Sequence, residues 1–223
     1  MPTTRDRRLG RTTASLAVLV LGLAGCTSEA EPEEAAAPVV QLGAPGESNT
    51  TLSPEEAESV DGPAYTEADV AFVQGMIPHH QQALEMTALV GDRADDPDLT
   101  AIAERIEVSQ VAEIDQLEGW LTARGESVSG MHAGHGDGEH GMPGMLTPQE
   151  MARLERASGS RFDRLFLLGM IRHHEGAVGM VESLLTEGEG GQESEVFQLA
   201  GHIGSDQQVE IAAMKRKLAE LAG

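Results

Sequence analysis

Apolar residues recur every three or four positions through most of the chain after residue 65, with polar residues between them. This spacing is typical of helices that bury one face. It predicts four long helices, over residues 67–91, 97–124, 161–186 and 195–221, and a short helix over 147–157. No stretch shows the sustained apolar–polar alternation of a half-buried strand, so an all-helical domain is expected.

Capping signals precede four of the predicted helices. Thr66 and Thr147 each stand three residues before an acidic residue, which is the spacing of a capping box. Asp96 comes before Pro97, an order that favours Asp at the cap and Pro at the first helical position. Ser160 is expected to cap the third long helix.

One pattern occurs twice. Residues 75–86 read GMIPHHQQALEM, and residues 169–180 read GMIRHHEGAVGM, 94 positions later. The helices that follow also repeat, 97 positions apart, so that Ala103, Ile106, Gln110, Glu113 and Ile114 match Ala200, Ile203, Gln207, Glu210 and Ile211. The repeated unit is a helical hairpin. One hairpin cannot bury its apolar stripe alone, and two are therefore predicted to form an antiparallel four-helix bundle.

The N-terminal segment has the features of a bacterial secretion signal. Arginines precede a short apolar run over residues 14–23, which is too short to span a bilayer comfortably. The next residues, Leu23-Ala24-Gly25-Cys26, resemble a lipobox, in which the signal is removed and the cysteine is lipidated. A chance cysteine after an ordinary signal is the alternative. The expected location is extracytoplasmic, with the protein anchored to the bacterial membrane through Cys26.

Composition divides the chain into three parts. Residues 27–64 contain no Lys or Arg and are dominated by Glu, Pro, Ala, Ser and Gly, which is typical of disorder. The predicted parts are a lipoprotein signal peptide over 1–25, a disordered acidic tether over 26–64 and a four-helix bundle domain over 65–223. Within the domain, repeat one spans 65–124, a His/Met/Gly-rich linker spans 125–146, and repeat two spans 147–223.

The net charge of −22 excludes nucleic acid as a partner and favours cations at the surface. Aromatic residues make up only 3% of the chain, which argues against an aromatic-lined substrate pocket. Cys26 is the single cysteine, so an intramolecular disulfide is impossible.

The repeated histidines fall beside the buried face of their helices. With about 100° per residue on a helical wheel, His79 and His80 lie on either side of Met76. Four histidines near one core are unfavourable unless each has a hydrogen-bonding partner or a ligand. The candidate metal ligands are Met76, His79, His80, Met170, His173 and His174. The alternative is a structural role, in which the histidines bond to carboxylates such as Glu113 and Glu210.

Methionine and histidine together indicate copper. A thioether is a soft ligand that selects Cu(I), while imidazole also tolerates Cu(II). Thioethers suit an exported protein, because thiols outside the cytoplasm oxidise to disulfides. A di-iron site needs Glu-x-x-His on facing helices, and the long helices contain no such sequence.

The linker is rich in the same ligand types. Residues 130–145 read GMHAGHGDGEHGMPGM, a composition typical of a flexible metal-collecting segment. A plain disordered connector is the alternative. The additional candidate ligands, in the linker and the long helices, are Met86, Met180, Met131, His132, His135, His140, Met142 and Met145.

These residues resemble the domain-of-unknown-function 305 family. The resemblance is in Met-Ile-x-His-His-x-x-Ala, present twice, in Gly-Met-Pro-Gly-Met before Leu146, and in the GSRFD sequence over 159–163. It implies a ferritin-like helical bundle, an exported or membrane-anchored protein and, in some members, copper binding and copper tolerance. It also implies that the repeated Met and His residues are ligands. Candidates for residues that orient the ligands are Gln110, Glu113, Gln207, Glu210, Asp69 and Asp163.

The leading interpretation is a lipid-anchored copper-binding protein that buffers or passes on Cu(I), and it leaves enzymatic activity undecided. Two alternatives stay open: a metal-dependent redox enzyme, and a structural or interaction module without metal. The sequence leaves the oligomeric state and any copper-delivery partner undetermined.

Overall fold

The structure of the protein is a computed structural model that describes residues 39–41, 48–58, 62–128, 142–187 and 190–222. The described residues belong to two compact units, which divide after Glu58. The first unit contains strand β1 (Val39–Gln41), strand β2 (Thr50–Leu52) and helix α1 (Pro54–Glu58). β1 and β2 pair antiparallel, with Val39 opposite Leu52. The interpretation of this region as a disordered tether included none of these elements, because strands of three residues are too short to produce a recognisable alternation.

The second unit is helical throughout its described elements. Its helices are α2 (Glu67–Thr87), α3 (Val90–Arg93), α4 (Asp98–Ala123), α5 (Pro148–Glu155), α6 (Gly159–Thr186) and α7 (Ser194–Glu220). The predominantly helical fold predicted from the periodicity is confirmed. None of the described helices is both long enough and apolar enough to cross a membrane.

The two predicted capping boxes are present. The Thr66 hydroxyl accepts from the Asp69 N–H at 3.2 Å, and the Asp69 carboxylate accepts from the Thr66 N–H at 2.8 Å. Thr147 and Glu150 make the same reciprocal pair at the start of α5. Both boxes satisfy backbone donors that the first helical turn leaves free.

Two predicted helix starts are displaced. Pro97 is the residue before α4 rather than its first residue, and it has no side-chain cap. Helix α6 begins at Gly159, ahead of Ser160, and Ser158 takes the cap position without a side-chain hydrogen bond. Gly159 has a φ of 63°, a conformation that glycine adopts without steric penalty. The helix therefore begins one residue before Ser160, the residue that was expected to cap it.

The four long helices pack in a closed order, in which α2 and α7 each contact both α4 and α6. Two contacts fix the direction of each neighbouring pair of helices. They are Gln74–Ser127 and His80–Glu113 for α2 and α4, and His174–Glu210 and Val181–Gly204 for α6 and α7. They are Gly75–Met180 and Met86–Gly169 for α2 and α6, and Asp98–Lys217 and Trp120–Glu193 for α4 and α7. In every pair the residue numbers run in opposite senses. Each helix is therefore antiparallel to both of its neighbours, an arrangement that agrees with the predicted bundle.

Two buried aspartates at equivalent positions of the repeats join one hairpin to the other. Asp69, at the start of α2, accepts from the Gly191 N–H in the loop before α7 at 2.5 Å. Asp163, at the start of α6, accepts from the N–H groups of Asp95 and Asp96, both at 3.1 Å. Each hairpin therefore fixes the interhelical loop of the other.

The apolar core of the bundle consists of two clusters. One, here called the Phe72 cluster, includes Met76 and Val181; the other, the Phe166 cluster, includes Met86. Along α2 the residues of the Phe72 cluster come before residue 79, and those of the Phe166 cluster come after residue 82. The short interval between them contains His79 and His80.

Candidate metal centre

A buried polar layer separates the two apolar clusters. Each hairpin contributes two histidines from its first long helix and a glutamine and a glutamate from its second. These eight residues, here called the polar layer, are His79, His80, Gln110, Glu113, His173, His174, Gln207 and Glu210, and none is more than 5% exposed. Polar groups at this depth are unfavourable unless they are paired or bind a ligand.

Two of the four histidines are paired with carboxylates inside their own hairpin. His80 Nε2 lies 2.6 Å from Glu113 Oε2, and His174 Nε2 lies 2.8 Å from Glu210 Oε2. Because a carboxylate only accepts, each imidazole donates through Nε2. The two contacts occupy matching positions of the duplicated unit, so the layer has approximate twofold symmetry.

The other two histidines meet across the interface between the repeats. The ring centroids of His79 and His173 are 3.9 Å apart, and the planes are tilted by 42°. His79 Nε2 donates to the Pro143 carbonyl at 2.9 Å. Neither ring nitrogen of His173 has a hydrogen-bonding partner.

Burial keeps both of these histidines neutral at physiological pH. It lowers the pKa of His79 to about 4, although the hydrogen bond to Pro143 acts in the opposite direction. Burial also holds the pKa of His173 well below its usual range, and the neighbouring imidazoles add to the shift. Each ring therefore retains a lone pair that can bind a metal.

The Nδ1 atoms of all four histidines are buried and have no hydrogen-bonding partner. The side-chain amide of Gln110, Oε1 of Gln207 and Oε1 of Glu113 are unpartnered in the same layer. Buried polar groups in folded proteins are almost always hydrogen-bonded. A ligand bound at this level would provide partners for these atoms.

Among the described residues, no three His, Cys, Asp or Glu side chains already converge as a closed metal site. In the layer, the rings of His79 and His173 face each other, and His80 and His174 are each paired singly with a carboxylate. The arrangement can accept a metal ion if the facing rings rotate to direct their lone pairs toward a common point.

The two candidate methionine ligands flank the polar layer on opposite sides. Met76 and Met170 are both fully buried. Met76 belongs to the Phe72 cluster and Met170 to the Phe166 cluster. The structure therefore brings the four candidate histidines to one level and places one thioether above that level and one below it.

The remaining candidates are distributed more widely. Met145 is partly buried. Asp69 and Asp163 each lie ten residues before a layer histidine, about 15 Å away along the helix axis, and are therefore too far from the layer to orient its histidines. Met86 reaches Gly169 of the other repeat, and Met180 and Met142 reach Gly75. Outside the described residues lie Cys26, Met131, His132, His135 and His140.

Residues 142–146, here called the strap, cross the groove between α2 and α6. The sequence suggested Met142 and Met145 as additional ligands but did not predict that this segment packs against the repeated histidines. The Gln82 side chain donates to the Leu146 carbonyl at 2.9 Å and accepts from the Leu146 N–H at 2.7 Å. A Cβ added to Gly176 would stand 2.0 Å from the Pro143 oxygen. The strap therefore requires glycine at this point of α6, and only the Gly-Met-Pro-Gly-Met sequence indicated its presence.

A family profile described as "Domain of unknown function (DUF305)" matches residues 69–218. A protein from Streptomyces coelicolor, described as a secreted member of the family, is 31% identical, with a TM-score of 0.61 over 70% of this chain and 94% of its own. A DUF305 fragment from Deinococcus radiodurans is 32% identical, with a TM-score of 0.60 over 71% of this chain and 99% of its own.

The protein CopM is also similar in structure. Its Cu(I)-bound form is 29% identical to this chain, with a TM-score of 0.55 over 70% of this chain and 98% of its own. CopM has also been solved in Cu(II)-bound, silver-bound and apo forms. No curated protein matches the chain significantly. The family profile spans well over half of the sequence, and the protein belongs to the DUF305 family.

Proposed function

We propose that this protein is an extracytoplasmic copper-binding protein that holds copper in the polar layer and buffers or passes on Cu(I). The observation that supports it most directly is the set of four buried, unpartnered Nδ1 atoms on His79, His80, His173 and His174. Copper is the cargo of this protein rather than a cofactor for a reaction.

The hydrogen bonds of the layer suit metal coordination through Nδ1. Histidines that bind metals usually donate their other ring N–H to a carboxylate or a carbonyl, which fixes the tautomer and raises the basicity of the ligand. Glu113 and Glu210 supply that acceptor for His80 and His174, and Pro143 supplies it for His79. Three of the four rings therefore have Nε2 occupied and Nδ1 free.

The donor types favour copper over harder cations. Imidazole binds both Cu(I) and Cu(II), and thioether sulfur selects the softer Cu(I). Met76 and Met170 stand one turn before the layer histidines of their helices, within the adjoining apolar clusters. CopM, which resembles this chain, has been solved with Cu(I), Cu(II) and silver, and this supports the same choice of metal here.

Export and membrane anchoring are part of the proposal. The N-terminal arginines, the apolar run and Leu23-Ala24-Gly25-Cys26 form a lipoprotein signal. The Streptomyces relative is described as secreted. In this location the protein meets copper outside the cytoplasm, and lipidated Cys26 keeps it at the membrane.

The proposal is tested by a Cu(I) competition titration of the His79→Ala/His80→Ala and His173→Ala/His174→Ala variants. Both should bind Cu(I) more weakly than the parent protein while helical circular dichroism is retained. The matched control is His202→Ala, because His202 is exposed on α7, outside the polar layer. Unchanged Cu(I) affinity in both double variants would refute the proposal.

One observation favours a structural alternative. His80 and His174 are already paired with buried carboxylates, and such pairs also occur in proteins that bind no metal. In that case the histidines specify the packing of the bundle, and the thermal midpoint of the parent protein is insensitive to stoichiometric Cu(I). A midpoint that rises with added Cu(I) in the parent protein but not in the His79→Ala/His80→Ala variant excludes this alternative, because a ligand that binds only the folded state stabilises it.

A further inference from the structure

The two repeats use their mid-helix glycines in nearly the same way, with one chemical difference. The position where a side chain would begin on Gly75 lies 3.5 Å from Met180 Cε and 3.7 Å from Met142 Sδ. The equivalent position on Gly169 lies 3.3 Å from Met86 Cε and 3.3 Å from a methyl carbon of Leu146. The sulfur of one methionine and the methyl group of another therefore lie beside the first glycine, whereas a methionine methyl group and a leucine methyl group lie beside the second.

The two places also differ in access. Met86 is fully buried in the Phe166 cluster. Met180 is only partly buried, and it lines an open groove of about 690 Å³ between α2 and α6. Met142 is likewise only partly buried. Of the two glycine positions, the one beside two methionine side chains is therefore the one nearer to solvent.

The groove has two exposed carboxylates at its edge. Glu175 is paired with Lys215, and Glu187 is the one that can attract cations. Pro143 forms part of its wall, and the carbonyl of that residue accepts the hydrogen bond from His79. Because Met142 directly precedes Pro143, the thioether pair stands next to the strap residue that contacts the candidate metal centre.

We propose that Met142 and Met180 form a second metal site, selective for soft monovalent cations such as Cu(I) and Ag(I), at the groove between α2 and α6. Two uncharged thioethers have little affinity for Zn²⁺ or Ca²⁺, which prefer nitrogen and oxygen ligands. The glycine at position 75 leaves room for both side chains. The idea that this site passes copper to the polar layer rests on the proposed function. The binding of soft cations by Met142 and Met180 does not depend on it.

The experiment is a titration of the full chain, labelled with ¹³C at the methionine methyl groups, with Ag(I), a probe that undergoes no redox change. Met142→Leu and Met180→Leu assign the two resonances and serve as binding variants, since leucine preserves volume and removes sulfur. Met86→Leu is the matched control. The methyl signals of Met142 and Met180 should shift together with the first equivalents of Ag(I), and Zn²⁺ should leave them unchanged. Each of the two variants should weaken this binding by about tenfold.

The same titration in the His173→Ala/His174→Ala variant separates the two sites, because neither imidazole is bonded to the strap. Shifts of the Met142 and Met180 methyl groups that persist there establish a site independent of the polar layer, even if the layer binds no copper. Shifts confined to Met76, Met86 or Met170, or lost entirely in the histidine variant, would overturn the proposal.

Discussion

The imidazole rings of His79 and His173 lie with their centroids 3.9 Å apart, across the interface between the two repeats. These residues occupy the same position of a duplicated sequence, 94 residues apart. Their environments nevertheless differ, because His79 donates to the Pro143 carbonyl and His173 has no partner at either nitrogen. The difference allows a structural role and a metal-binding role to be separated experimentally.

Replacing His173 with leucine should leave the apo protein at least as stable as the parent while it weakens Cu(I) binding. A buried polar group without partners destabilises the fold by about 1–3 kcal/mol, and leucine removes that penalty. Urea denaturation of the apo protein and a Cu(I) competition titration give the two readouts. A His173→Leu variant that loses stability and retains its Cu(I) affinity would show that the histidine serves packing alone.

Glu113→Gln and Glu210→Gln should each lower Cu(I) affinity about 10- to 100-fold, which is the usual effect of removing the residue that orients a metal-binding histidine. The glutamine carbonyl can still accept from the histidine Nε2, so the apo fold should persist. Glu107→Gln is the control, because Glu107 is exposed on α4, outside the polar layer and the groove. If all three variants bind Cu(I) as tightly as the parent protein, Glu113 and Glu210 do not contribute to the metal site.

The apo protein should lose stability as the pH falls from about 6.5 to about 4. The pKa of His79 is about 4 in the folded state, against 6.5 without burial. In this window the unfolded chain binds a proton that the folded chain does not, so the free energy of unfolding falls with acidity, by on the order of 3 kcal/mol for this residue. Denaturant midpoints between pH 7.5 and 4.5 measure the slope.

The control for that slope is His79→Gln, which retains a donor for Pro143 and cannot titrate. Its profile should be flatter than that of the parent over the same window. The ion pair between Arg172 and Glu150 does not contribute to this slope. Arg172 holds the pKa of Glu150 at about 2, so the stabilisation from that pair is lost only as the pH falls from about 4.5 toward 2, below the measured window. Identical slopes for the parent and His79→Gln would mean that His79 is not kept neutral by burial.

Two glycines three residues apart on α6 should respond to alanine in opposite directions. Gly176→Ala places a methyl group 2.0 Å from the Pro143 oxygen, so the strap must move and the thermal midpoint should fall. Gly179→Ala meets nothing within 4 Å, and it should stabilise the helix by up to about 1 kcal/mol. Thermal denaturation of both variants tests the packing of the strap, and a midpoint for Gly176→Ala at or above that of the parent would contradict it.

Much of the bundle could be predicted because it depends on local rules. The 3.6-residue period placed Met76, His79 and His80 on the buried side, and all are fully buried. The capping boxes at Thr66 and Thr147 follow from two side chains each. The strap could not be found in this way, because it is held by long-range contacts such as that between Gln82 and Leu146, which leave no periodic trace.

The placement of the methionines shows a second limit of the helical wheel. The wheel gives the angle of a residue around the helix axis but not its height along the bundle. Met76 and Met170 each precede a layer histidine by three residues. Since α2 and α6 are antiparallel, the same offset moves one thioether toward the Phe72 cluster and the other toward the Phe166 cluster.

The polar layer also contributes to the alignment of the two hairpins, together with the bonds that Asp69 and Asp163 make to the opposite hairpin. Each apolar cluster contains side chains from both repeats, so a slide of one hairpin past the other by a helical turn, about 5.4 Å, would displace the layer as well. Such a slide would press the imidazoles and carboxylates of one repeat against the aliphatic side chains of the other. The residues that are candidates to bind copper therefore also favour this alignment of the hairpins, whether or not a metal is bound.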